Sequence, residues 1–350
     1  RTGWSYENGA SCIGAYSCNL AKPYGLYLCP ISSSSSSSVK SFSSISSSSI
    51  KSSAASSSIA SSVKTSSSVN SSSSSTAAEF TGIATHFDGL GMPFGGCGIP
   101  QYQLETQSFV ALNVFNTPGV YSSYPRPLSG DNLKYIGEFN NGKNCGRWIR
   151  VTVQEFCDGT NDGAQGQAFC RGGLGWVKDG LEGATQDVLV ADSCGDANAW
   201  CRDSRYHLDF SLTAMGSFTL NGTTVNLLPD HDNNRKISWH YIEAPNYTGD
   251  IKIYFIMGAE FWWPAIAISN LKNGIHGVEQ LVNGVWTAMP MNKDIGQSYI
   301  LQPGSTTYQI RVRDVNGELI NGGRVYSFGY PLNCNGTCSE AATQVNYTIQ

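Results

Sequence analysis

Residues 32 to 76 are almost entirely serine, with sparse Lys, Val, Ile and Ala. No other feature limits the fold of this chain so strongly. Such a segment cannot bury enough apolar surface to offset the entropy lost on ordering. It reads as a flexible tether whose hydroxyls suit O-glycosylation. It separates residues 1–30, too short to build a core without disulfide staples, from roughly 270 residues, enough for two domains.

Both halves of that long region read as β structure. Strand-like runs fall at 148–156 and 187–191 in the first half. The second half has them at 236–244, 250–257, 263–269, 308–315 and 325–328. Gly, Asn, Asp and Pro turns such as Asn283-Gly284 and Asn316-Gly317 separate them. Long amphipathic helices are absent from the pattern. The polar stretch 230–234 predicts a domain boundary near Arg235. The expected divisions are 1–30, a tether 31–78, a first β domain 79–235, a second 236–332, and a tail 333–350.

A formal net charge of −4 and a pI near 5.7 argue against nucleic acid or an anionic membrane as partner. No run approaches the roughly 20 apolar residues of a membrane span. Asn-x-Ser/Thr sequons at Asn70, Asn221, Asn246, Asn335 and Asn346, with 11 cysteines, point to a secreted glycoprotein. No Cys-x-x-Cys pair occurs, so disulfides are a better reading than a zinc ribbon. The odd cysteine count leaves one thiol over. Nothing calls for a metal or cofactor, and a monomer is expected.

Two features suggest polysaccharide chemistry. Trp262-Trp263-Pro264 offers indole faces on which sugar C–H groups stack. Adjacent strand residues face opposite sides, so both rings reach one surface only if a loop or bulge intervenes. Pro264 favours a strand edge or end there. The second feature is Asp209, a carboxylate in the mixed apolar stretch Tyr206-His207-Leu208-Asp209-Phe210. Burial there would raise its pKa and favour an acid role.

Four ordered motifs carry a family resemblance. They are Thr85-His86-Phe87, Gly95-Gly96-Cys97-Gly98, Val190-Ala191-Asp192-Ser193-Cys194, and His207-Leu208-Asp209-Phe210-Ser211 followed by Ala214-Met215-Gly216. Together they resemble the double-ψ β-barrel of expansins and family-45 endoglucanases, with fungal swollenins the nearest in pattern. The resemblance implies a six-stranded barrel. It makes Asp209 the acid, Asp192 the second carboxylate, and Thr85 a lining residue, with Tyr206 and His207 contacting sugar or positioning the strand. Asp88, three residues after Thr85 and followed by Gly89, reads either as a catalytic base or as a turn aspartate. It lies one residue short of the hydrolase spacing, and a one-residue slip reverses the face of a strand side chain. Cys194 and Cys201 are a candidate pair, as are Cys157 with Cys170 and Cys97 with Cys145. Cys334 and Cys338 close a small loop or join nothing.

The second half resembles the C-terminal module of expansins, an immunoglobulin-like β-sandwich that binds cellulose. The matching points are Ile237-Ser238-Trp239-His240-Tyr241, Gly249-Asp250-Ile251-Lys252-Ile253-Tyr254, Phe261 to Ile266, Gly284-Val285-Trp286 and Tyr308 to Val312. The resemblance implies a linear platform of Trp262 and Trp263. The third aromatic falls near Ile295, with Tyr299 as a substitute. Gly3-Trp4-Ser5, Cys12, Cys18 and the run from Asn19 to Cys29 resemble most of a family-1 cellulose-binding module. That resemblance implies a Cys12–Cys29 pair, an unpaired Cys18, a chain shortened at its N-terminus, and binding aromatics Tyr24 and Tyr27.

The expected protein is therefore secreted and all-β, a small knot and tether followed by a double-ψ barrel and a sandwich. It binds cellulose or a related β-glucan and loosens polymer packing without net hydrolysis. The alternatives are an inverting endo-β-1,4-glucanase, with Asp209 as acid and Asp88 or Asp192 as base, and a structural or adhesive wall protein.

Overall fold

Both alternating strands, such as Thr307–Arg313, and continuously buried ones, such as Phe109–Asn113 and Ala265–Ser269, build two sheet systems. In the computed structural model, residues 78–197, 199–229 and 235–350 are described. The N-terminal knot, the tether, Tyr24, Tyr27 and the Cys12–Cys29 pair lie outside them.

The first system comprises β1 (Phe80–Phe87), β2 (Phe109–Asn113), β3 (Trp148–Val153), the short pair β4 (Phe156–Cys157) and β5 (Trp176–Val177), β6 (Thr185–Cys194) and β7 (Leu208–Ser211). It continues through β8 (Phe218–Leu220), β9 (Thr223–Val225) and β10 (Arg235–Ile242). Pairing runs β2-β7-β1-β10-β3-β6, and β6 pairs back to β2. The expected six-stranded barrel thus closes, with parallel β1–β7 and β2–β6 pairs among antiparallel ones. Ala84, Val110, Ile149, Val151, Leu208, Phe210 and Trp239 fill its interior.

The second system comprises β11 (Lys252–Ile256), β12 (Ala265–Ser269), β13 (Gly277–Val282), β14 (Val285–Met289), β15 (Ser298–Ile300), β16 (Thr307–Arg313), β17 (Tyr326–Gly329), β18 (Ala342–Val345) and β19 (Thr348–Ile349). They form a four-stranded sheet, β15-β12-β11-β18, and a five-stranded sheet, β14-β13-β16-β17-β19. One core unites them, with Ile253, Phe255, Ile266, Ile268, Tyr308 and Ile310 buried together.

Two expected boundaries move. Residues 236–242 were assigned to the second domain, but β10, which they form with Arg235, pairs with β1 and β3 inside the barrel. The reason is its inward face: Ile237 and Trp239 are fully buried there, and the Trp239 indole N–H donates to the Tyr206 carbonyl at 3.0 Å. The junction therefore falls between Ile242 and Lys252. Residues 333–350 were expected as a tail. Instead β18 pairs with β11 and β19 with β17, so this segment contributes one strand to each sheet. Ala342 and Val345 give it an apolar face against the core.

All four candidate cysteine pairs among the described residues are disulfides: Cys97–Cys145, Cys157–Cys170, Cys194–Cys201 and Cys334–Cys338. Among the described residues, no helix is long and apolar enough to cross a membrane.

Candidate functional site

Strand alternation decides which barrel residues face outward. Ala84, Leu208 and Phe210 point into the core, so Thr85 and Asp209 point away from it. Register then aligns four residues across four neighbouring strands. Thr85 on β1 pairs with Asp209 on β7, Asp209 with Ala111 on β2, and Ala111 with Asp192 on β6. Paired residues share a face, so the row Thr85–Asp209–Ala111–Asp192 lies on the outer wall. A strand spacing of about 4.8 Å separates the Asp209 and Asp192 backbones by about 10 Å. The loop closed by Cys194–Cys201 packs over this wall, with Ala111, Phe87 and Trp200 beneath and beside it.

Close backbone packing makes the row possible. A Cβ at Gly82 would stand 1.9 Å from the Tyr206 carbonyl oxygen, so only glycine lets β1 cross the approach to β7. At the far end of β7, the Ser211 hydroxyl accepts from the Ala214 N–H and caps a one-turn helix, Leu212–Met215. The serine and alanine of the sequence motif thus end the strand that carries Asp209.

Asp209 is half-buried. The Thr85 hydroxyl donates to its Oδ1 at 2.8 Å. Burial pushes its pKa from 3.8 up to about 6; the Thr85 hydrogen bond and the nearby His86 oppose the rise, and the Asp196 and Asp192 carboxylates add to it. The group therefore exchanges its proton near neutrality, as an acid or a hydrogen-bond donor to sugar oxygen requires. Asp192 is also raised by burial, but its Oδ1 accepts from the Gly96 N–H at 2.6 Å and the Ser193 N–H at 2.8 Å.

His207 is fully buried, so it does not contact sugar. Its Nε2 lies 2.9 Å from the Thr85 hydroxyl. Since that hydroxyl gives its proton to Asp209, Nε2 is the donor. Burial lowers the imidazole pKa to about 3, which keeps the ring neutral. His207 positions Thr85, and Thr85 positions Asp209. Tyr206 is half-buried; its ring stacks on Phe80 at 4.6 Å and meets Trp239 edge-on.

Asp88 lies on an exposed bend past the end of β1. It is out of phase with Thr85, and the carboxylates that act on Asp209 are those of Asp196 and Asp192. Asp196 escaped the sequence reading. It is exposed on the Cys194–Cys201 loop, where the Arg202 Nε donates to its carbonyl at 2.7 Å, and its carboxylate acts on Asp209. The sulfur atoms of that disulfide and a His207 ring nitrogen gather within 4.8 Å of one another. The two cysteines bond to each other, so they present no thiolate to a metal.

In the second module, Glu260 and Trp263 exchange backbone hydrogen bonds at 3.1 and 2.9 Å. Phe261 and Trp262 form the tip of this tight turn, and Trp263 ends it before Pro264 and β12. This supplies the local irregularity that two outward rings require: Trp262 is 73% exposed and Trp263 37%. Trp262 meets Phe261 edge-on and lies over Gly304. Tyr299 departs from expectation. Its register opposite Ile266 turns the ring into the sandwich core, where it is 2% exposed, so it offers no stacking face.

The two modules meet close to the Asp192 end of the row. Arg126 donates through Nε to Asp294 of the second module at 2.6 Å, and through Nη2 to the Ser193 hydroxyl at 3.1 Å. The Gln297 N–H donates to the Cys97 carbonyl beside it.

No protein-family model matches the chain, and no curated protein matches it. Solved structures of an expansin from Clavibacter michiganensis are similar to it. A point mutant in complex with cellohexaose aligns with a TM-score of 0.43 and 19% identity, over 73% of this chain and 92% of its own. The ligand-free form aligns at 0.44 and 18%, with the same coverage. The chemistry of the site rests on the residues above and not on so distant a likeness.

Proposed function

We propose that this chain is a secreted, monomeric, expansin-like protein that binds β-1,4-glucan and loosens its packing without net hydrolysis. One observation carries the reading. Asp209 is held by Thr85 as a near-neutral acid on the outer barrel wall, while Asp88, the residue whose spacing suggested a base, lies out of phase on an exposed bend. Trp262 and Trp263 stack on sugar faces, and the protonated Asp209 donates to a glucan oxygen. Those contacts replace hydrogen bonds between neighbouring polymer chains. The Ser-rich tether, with the family-1-like knot bearing Tyr24 and Tyr27, raises the local concentration of the barrel at a fibre surface.

A second reading keeps one specific support. The Asp209–Ala111–Asp192 row spaces two carboxylates about two strands apart, near the roughly 6.5–9.5 Å of inverting glycosidases. Asp192 would then be the base. Against this, one of its oxygens is already committed to two backbone N–H groups. The deciding experiment measures reducing-end release from amorphous cellulose together with extension of cellulose fibres under load. The loosening reading expects fibre extension that Asp209→Asn abolishes, with no sustained sugar release. Sustained turnover lost in both Asp209→Asn and Asp192→Asn would establish hydrolysis instead.

A further inference from the structure

A cleft of about 370 Å³ opens where the two modules meet. None of the Thr85–Asp192 row lines it. The barrel supplies Glu105 and Trp148, the sandwich Asn270 and Leu271, and the connector between them Asn246 and Tyr247. The volume falls within the roughly 300–1,000 Å³ of small-ligand clefts. Its lining of aromatic rings beside amide and carboxyl groups matches the two surfaces of a sugar, an apolar ring face and a rim of hydroxyls. The Glu105 carboxyl accepts from the Asn270 N–H, and burial pushes its pKa up.

The connector itself carries a sequon, Asn246-Tyr247-Thr248, and all three residues line the cleft. Asn246 is exposed and adopts a left-handed φ of 56°, a conformation asparagine tolerates better than most residues. The Asn270 side-chain amide fixes the turn by donating to the Thr248 and Asp250 carbonyls at 3.3 and 2.7 Å. The other sequons among the described residues, at Asn221, Asn335 and Asn346, are also exposed but line no part of this cleft.

We infer that Asn246 is an N-glycosylation site, and that the first N-acetylglucosamine of its glycan seats in the cleft and ties barrel to sandwich. The donor is a lipid-pyrophosphate-linked oligosaccharide. The Asn246 amide nitrogen bonds to C1 of its terminal N-acetylglucosamine, the C1–O bond breaks, the nitrogen loses one proton, and the lipid pyrophosphate leaves. No electron transfer is involved. The inference needs passage through a secretory pathway with this chemistry and is independent of whether the protein binds glucan.

The test uses the full chain secreted from yeast. Peptide mass spectrometry reads occupancy at each sequon. Thermal unfolding and hydrogen exchange then compare the intact protein, the protein trimmed by an endoglycosidase to a single N-acetylglucosamine, and Thr248→Ala. That substitution removes the sequon but keeps the carbonyl that Asn270 uses; Asn246→Gln serves as a second variant. Asn246 is expected to be occupied. The trimmed protein should keep the Tm and the slow exchange of residues 244–250, whereas Thr248→Ala loses about 2–4 °C and exchanges faster there. Asn221→Gln should shift neither. An empty Asn246 in protein glycosylated at Asn221 or Asn335 overturns the inference. So do equal Tm and exchange in intact and Thr248→Ala proteins. Protection of 244–250 in the glycosylated protein by added free N-acetylglucosamine also overturns it, because the cleft would then be open.

Discussion

Asp209 makes the fold itself sensitive to pH. Its pKa rises from 3.8 to about 6 on folding, with burial as the main cause. Between those values the native state holds a proton that the unfolded chain has released. The stability contributed by this group is therefore complete below 3.8 and is lost as pH rises through about 6. A rise of about two units is worth about 3 kcal/mol as a ceiling. The carboxyl is only half-buried, so solvent screening leaves about 1–2 kcal/mol. Asp209→Asn removes the titration while preserving an acceptor for Thr85. Urea unfolding of wild type and variant across about pH 4 to 7 should show wild type losing about 1–2 kcal/mol relative to the variant. Asp192, Glu105 and Glu138, all raised by burial, are present in both proteins and cancel to first order. Carbon NMR of the Asp209 carboxyl gives the midpoint directly. Thr85→Val should move that midpoint higher, since the lost hydroxyl favours the charged form. A stability difference that is flat with pH, or that grows in favour of wild type, would refute the account of Asp209 as a buried acid.

Three further outcomes follow from the same geometry. Trp262→Ala should weaken adsorption to insoluble β-glucan fivefold to tenfold, from about 1 kcal/mol of lost stacking, as read from depletion isotherms; unchanged adsorption would remove this ring from the binding surface. Tyr299→Phe should leave adsorption untouched and hold or raise stability by up to about 1 kcal/mol, because the buried hydroxyl has no hydrogen-bond partner; weaker adsorption would contradict its core placement. Arg126→Gln and Asp294→Asn should show a coupling of about 1 kcal/mol in a double-mutant cycle, whereas strict additivity would mean that the ion pair does not join the modules.

The sequence disclosed those parts of the fold that depend on local alternation and on motifs. The six-stranded barrel, the motifs bearing Asp209 and Thr85 and the paired cysteines were legible. So was the need for an irregularity at Trp262 and Trp263, because a period of two forbids both rings on one face and Pro264 marks a strand end. What stayed hidden depends on register across long separations. Arg235–Ile242 has the same alternating pattern in a barrel as in a sandwich, and only its partners, β1 and β3, distinguish the two. Tyr299 stood in for the aromatic expected near Ile295, and only its pairing opposite Ile266 shows that the ring turns into the core. Asp196 is unremarkable in sequence, since it acts on Asp209 only once the loop between Cys194 and Cys201 is folded.

The late position of β10 also bears on how the chain is made. β1 begins at Phe80, but one of its two neighbours begins at Arg235, 155 residues later (235 − 80 = 155). At roughly 5–20 residues per second of synthesis, β1 and β3 each wait about 10–30 s or less for that shared partner. Throughout that interval both have an open hydrogen-bonding edge, the kind of surface that recruits strands from other chains. A chain ended just before Arg235 would keep both edges open permanently and lose Trp239 from its core. Expression of the barrel alone should therefore yield aggregate unless Arg235–Ile242 is retained.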